Sequence, residues 1–159
     1  MSTAVVLTHT QPEQTTGALH ELLAAAERAG WRVAADPEEL RKHSDAAAGL
    51  HALADHDKPD LCVVLGGDGT ILTALREYGT KGVPVFAINY GTVGFLAAAE
   101  PAELKSSLER AFAGDYEIIE MPGLEASVDA DPPMALNDVS LIRRQHGRVA
   151  DLAYRLGGK

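Results

Sequence analysis

Residues 61–70 read L-C-V-V-L-G-G-D-G-T, and no other segment of the chain limits the possible folds so tightly. The apolar run 61–65 is too short for a helix and has the β-branched content of a strand buried on both faces. Strands of that kind belong to parallel sheets covered by helices. The run stops on Gly66-Gly67, passes one carboxylate, Asp68, and turns on Gly69-Thr70. Ile71, Leu72 and Leu75 then mark one side of a helix. A glycine turn between a buried strand and a helix N-terminus suits phosphate, because the backbone can come close and unpaired N–H groups point outward. A carboxylate there repels phosphate, so Asp68 has some task other than binding it directly.

The rest of the chain repeats the alternation. Strands are predicted at 4–7, 31–34, 61–65 and 85–88. A helix is predicted over 14–29, with Leu19, Leu22, Leu23 and Ala26 on one face and Gly30 as its stop. The Ala-rich stretch 37–53 reads as one or two short helices. Pro101 suits the first turn of a helix through Phe112. Strands alternating with helices predict an α/β fold, a parallel Rossmann-like sheet with helices on both faces. Ligands in such sheets bind beyond the carboxyl ends of the strands, where both glycine-bearing segments fall. After Tyr116 no helical period recurs, and 117–121, 123–128, 134–141 and 149–156 are strand-like. The expected division is an α/β nucleotide-binding domain over 1–116 and the start of a β-rich domain over 117–159.

Composition narrows the function. The chain has 159 residues and a net charge of −9, which argues against a nucleic-acid surface and gives no global attraction for a polyanion. Phosphate affinity must be local. Cys62, the single cysteine, lies inside a predicted strand and reads as a buried structural thiol. The six histidines show no metal-ligand spacing, and His43, His51 and His56 receive no role. No segment has the length and hydropathy of a membrane span or a signal peptide, so a cytoplasmic protein without a membrane partner is expected. Arg143, Arg144, His146 and Arg148 form the only basic cluster and read as a solvated hairpin.

Three segments taken together resemble one family. L-G-G-D-G-T at 65–70 is similar to the GGDGT signature shared by NAD kinases, lipid kinases and, less closely, phosphofructokinases. A-I-N-Y-G-T-V-G-F-L at 87–96 is similar to the G-I-N-x-G-x-L-G-F-L segment of NAD kinases, with Val93 in place of the usual leucine. A-L-N-D-V at 135–139 is similar to their A-L-N-E-V, with Asp138 in place of Glu. The order and spacing agree. The resemblance runs from the first strand to about Ala153.

The resemblance implies transfer of a phosphoryl group from ATP or polyphosphate, with Mg²⁺, to the 2′-hydroxyl of the adenosine ribose of NAD. It implies that Asp68 accepts the hydroxyl proton. Read from the residues alone, Asp68 is equally a turn residue that caps the following helix. Gly66, Gly67 and Gly69 would meet phosphate, or instead make only a tight strand–helix turn, and Thr70 would bond phosphate or cap the helix. Asn89, Gly91 and Gly94 would shape a loop near the dinucleotide. Phe95 would stack on a base, or instead anchor the loop as a core aromatic. Asn137 and Asp138 would hold ribose hydroxyls and the nicotinamide amide. A homo-oligomer is expected of the full-length protein. NAD kinases continue with a second G-D-G segment and a T-P-T-G-S-T-A-Y segment, and neither follows here. The chain therefore reads as an N-terminal portion. The alternatives are an inactive fragment with at most weak nucleotide binding and a GGDGT lipid kinase.

Overall fold

The computed structural model describes residues 1–43, 48–54, 58–92, 94–125, 134–136 and 138–140. Five strands, β1 (Thr3–Thr8), β2 (Arg32–Ala35), β3 (Leu50–Ala52), β4 (Leu61–Gly66) and β5 (Val85–Asn89), form one sheet in the order β3-β2-β1-β4-β5. Every neighbouring pair is parallel. The four strands expected from the sequence are present, and Cys62–Gly66 pairs in parallel with Val85–Asn89. The fifth strand, β3, corrects the all-helical expectation for 37–53. Among the described residues of that stretch, the helix is α2 (Pro37–Lys42). Leu50–Ala52 is a three-residue edge strand, too short to show a period of two.

β1 and β4 are buried at every position, as central parallel strands require. Their side chains divide by parity. Ala4, Val6, Leu61, Val63 and Leu65 join one cluster with Leu19, Leu22 and Ala26 of α1 (Thr16–Ala29) and Leu108 and Phe112 of α4 (Leu104–Ala113). Val5, Leu7, Cys62 and Val64 join another with Ile71 and Ala74 of α3 (Asp68–Glu77). The sheet therefore carries helices on both faces, as expected. α1 ends at Gly30, whose φ of 73° is left-handed and favours glycine. Trp31 packs its ring on Phe112, with centroids 5.4 Å apart. Cys62 is buried, and burial pushes its thiol well above the ordinary range, which keeps it unreactive.

The sheet order reverses between β1 and β4. From β1 the chain moves through α1 to β2, and from β4 it moves through α3 to β5 on the opposite face. Such a switch point opens a crevice at the carboxyl ends of the two central strands. Thr8 and Leu65 pair at those ends.

The fold separates into two compact units, Met1–Pro122 and Gly123–Lys159. In the second, β6 (Leu124–Glu125) and β7 (Met134–Ala135) form an antiparallel pair. No regular structure covers 115–123, where the pattern suggested a strand. The basic cluster, including Arg143 and Arg148, lies outside the described residues. Among the described residues no helix is long and apolar enough to cross a membrane.

Candidate active site

The β4 and β5 register sets the site. Gly66 pairs with Asn89 at the end of the ladder, and Tyr90 N–H donates to Gly66 O at 3.0 Å. The two strands therefore release their turns side by side. Gly67 meets Gly91 there: a Cβ on Gly91 would lie 2.9 Å from Gly67 Cα, and one on Gly67 would lie 3.2 Å from Gly91 Cα. Those neighbours are backbone and cannot swing aside. The two sequence segments that looked like separate motifs are one packed unit, and their glycines are needed for that packing whatever binds nearby.

Asp68 is the first residue of α3. The N-cap is Gly67, and no side chain caps the helix. This corrects the reading of Asp68 as a helix cap. Its carboxylate instead accepts Phe95 N–H at 3.2 Å to each oxygen, and Leu96 N–H at 3.3 Å to Oδ1. Gly94 permits this approach, since a Cβ there would lie 3.1 Å from Asp68 Oδ1 and 3.2 Å from Asn89 Oδ1. The N–H groups of Thr70 and Ile71 both reach Gly67 O, whereas those of Asp68 and Gly69 find no acceptor among the described residues. The start of α3 thus offers free donors and the positive end of the helix dipole. Thr70 packs its side chain where a Gly66 Cβ would sit, at 2.8 Å.

Asn89 is buried at the end of β5 and is spent internally. Its Oδ1 accepts Gly91 N–H at 3.0 Å, and its Nδ2 donates to the Glu100 carboxylate at 3.4 and 3.5 Å. It shapes the loop. The chain then returns beside β5, with Asn89 N–H donating to Ala99 O and Ala98 N–H to Ala87 O, both at 2.9 Å. The loop that leaves β5 is therefore pinned at its base. Phe95 is 88 % exposed, which rules out its role as a core anchor and leaves its ring free. Leu96 is half-buried against the cluster under α3. Val93 and Asn137 lie outside the described residues. Asp138 is exposed in the second unit and accepts Ser140 Oγ–H at 2.9 Å.

The sequence reading missed a second polar group, at the end of β1. Thr8, Glu39 and His43 are all buried. Thr8 Oγ1 lies 2.7 Å from Glu39 Oε2 and 2.7 Å from His43 Nε2. A hydroxyl has one proton. With that proton given to the Glu39 carboxylate, Thr8 must accept from His43, so the imidazole carries its proton on Nε2. Lys42 Nζ donates to Thr8 O at 3.2 Å and pairs with Glu39 Oε1 at 2.5 Å. Burial holds His43 below the ordinary imidazole range; Glu39 opposes that and Lys42 adds to it. The four residues are scattered over 8–43, and their only sequence signal was the spacing of Glu39 and His43, which puts both on one side of α2.

Among the described residues no group of three His, Cys, Asp or Glu side chains comes together as metal ligands. The described residues thus do not fit a protein cage for the expected Mg²⁺.

Comparison with known proteins bears on the same region. The family of the ATP-NAD kinase N-terminal domain matches residues 25–116. A NAD kinase of Citrifermentans bemidjiense is 40 % identical over 105 residues, which cover 63 % of this chain and 36 % of that protein. A NAD kinase of Bifidobacterium longum is 32 % identical over an alignment of 163 positions, covering 96 % of this chain and 46 % of that one. The crystal structure of yeast NADH kinase complexed with NADH superposes with a TM-score of 0.66 at 20 % identity, over 85 % of this chain and 46 % of the yeast chain, a likeness of fold. The chain spans less than half the length of each of these proteins.

Proposed function

The chain belongs to the ATP-NAD kinase family, and on that premise we propose that it carries the phosphoryl-transfer half of a NAD kinase site. In this reading the donor, ATP or polyphosphate, places a phosphate at the free N–H groups of Asp68 and Gly69, where the helix dipole favours the anion. The 2′-hydroxyl of the adenosine ribose of NAD approaches the Asp68 carboxylate. As its oxygen bonds to phosphorus, its proton passes to Asp68, and the bond from phosphorus to the leaving phosphate breaks. Phe95 offers an exposed aromatic face for a base of the dinucleotide. Asn137 and Asp138 are candidates to hold ribose hydroxyls.

One observation carries the proposal: a carboxylate held by two backbone N–H groups beside a helix start whose own N–H groups are free. A glycine turn that served packing alone would need neither feature. The test is NADP formation from NAD and ATP, measured on this chain and on a form extended to the length of its relatives. Transfer of labelled phosphate to the 2′-position by the extended form is the expected result. An extended, folded form that makes no NADP with either ATP or polyphosphate would overturn the reading.

A further inference from the structure

Within the 94–96 segment the side-chain anchor is Leu96, half-buried against the cluster under α3. Phe95 is 88 % exposed, Gly94 has no side chain, and the contacts that hold the backbone of 95 and 96 run to the Asp68 carboxylate. Those contacts join residues 27 and 28 positions apart. The carboxylate that the proposed chemistry uses is therefore also the clasp of the loop that carries Phe95.

We infer that segment 94–96 positions Asp68, and that neutralising Asp68 opens the clasp. In the resting site the two N–H donors fix the carboxylate in one orientation, with Gly94 providing the room. A charged acceptor makes the stronger hydrogen bond. When the proton of the ribose hydroxyl arrives on Asp68, the carboxyl becomes neutral and its bonds to Phe95 N–H and Leu96 N–H weaken. The loop then loosens at the moment when the 2′-oxygen has become a phosphate ester and must leave. Loss of the proton to water restores the clasp. Gly94, Phe95 and Leu96 act on the reaction through Asp68 and are positioning residues. The clasp stands on geometry alone; its coupling to turnover rests on the proton-accepting role proposed above.

The experiment is amide hydrogen exchange at neutral pH on the 159-residue chain, comparing wild type with Asp68→Asn and Gly94→Ala. Protection of Val63 and Ala74 reports that the core remains folded. Exchange at Phe95 and Leu96 is expected to speed up by about tenfold or more in both variants, because Asn offers one weaker acceptor and a Cβ on residue 94 drives the segment off the carboxylate. A second measurement does not depend on any variant. In the wild type, the Phe95 and Leu96 amide protons should shift together with the Asp68 carboxyl carbon as acid is added, and these shifts should vanish in Asp68→Asn. Unchanged exchange at 95 and 96 in Asp68→Asn, or amide shifts that ignore Asp68, would overturn the clasp and leave the functional reading standing. Faster exchange together with normal NADP formation by the extended Asp68→Asn form would keep the clasp and overturn its coupling to the chemistry.

Discussion

The two strands that flank the switch point end in opposite ways. β4 ends in backbone: Gly66 and Gly67 leave no side chains, the neighbouring turn fits against them at Gly91, and the N–H groups of Asp68 and Gly69 stay free. β1 ends in side chains: Thr8 is closed over by Glu39, Lys42 and His43, and its hydroxyl has no capacity left. One end keeps unsatisfied donors where an anion can use them. The other satisfies every polar atom and joins the core. The contrast separates a site from a support, so substitutions at the β1 end should cost stability, and those at the β4 end should cost function as well.

The largest stability loss should come from the support. Glu39→Ala leaves Lys42, the Thr8 N–H and the Thr8 hydroxyl without their acceptor, and removing one partner of a buried pair is costly. A loss of about 2–4 kcal/mol is expected from urea unfolding, reduced somewhat because Lys42 keeps some contact with water. Next comes Gly91→Ala. Its Cβ would meet Gly67 backbone, and overpacking of this kind costs about 1–3 kcal/mol. Unlike Glu39→Ala, it should also disturb Asp68, visible in the amide shifts of Phe95 and Leu96. If both substitutions cost stability and neither moves those shifts, the division between the two ends fails.

A smaller effect is expected from pH. His43 is buried among Glu39 and Lys42 of α2 and Thr8 of β1, and its imidazole is held below the ordinary value near 6.5, chiefly by burial. The unfolded chain then binds the proton more readily than the folded one. The stability contribution is complete above about pH 6.5 and falls as pH drops toward the folded value. The urea midpoint should therefore decline between pH 7.5 and 5.5, and His43→Gln should flatten that decline. A midpoint that instead rises on acidification would contradict the neutral, Nε2-protonated imidazole.

The smallest effect sharpens the comparison most. Gly69 has open space around the position of a Cβ and no left-handed torsion. Gly69→Ala should shift stability by less than about 0.5 kcal/mol, as an unhindered surface change does. Any loss of phosphate-donor affinity in this variant is then a direct sign that ligand backbone approach, and not folding, needs glycine there.

These differences track what could be read from the sequence. The β4 end was legible because glycines flanking a buried apolar run have few structural uses, and because adjacent residues carry the whole turn. Asp68 was picked out for the same reason, although its partners 27 and 28 positions away were not, since a backbone N–H leaves no trace in sequence. Asn89 was assigned to the right loop, although its internal partners, Gly91 N–H and the Glu100 carboxylate, left no sign in the sequence. The β1 end was illegible. Thr8 follows an apolar strand like any edge residue, and Glu39 and His43 look like ordinary polar positions on a short helix. Only the sheet order brings them together. β3 was missed because three residues cannot display alternation, and parallel pairing to β2 supplies what local pattern lacks.

The central claim is that the carboxylate of Asp68 takes the proton of the attacking hydroxyl. The most direct measurement is steady-state NADP formation by Asp68→Asn in the form extended to the length of its relatives, with folding and NAD affinity determined in parallel. Asn nearly matches the shape of Asp but cannot accept the proton. The account predicts NAD affinity within about threefold of wild type and kcat lower by about 10²–10⁴-fold. Turnover within a few-fold of wild type would reduce Asp68 to the clasp of its loop and contradict the account.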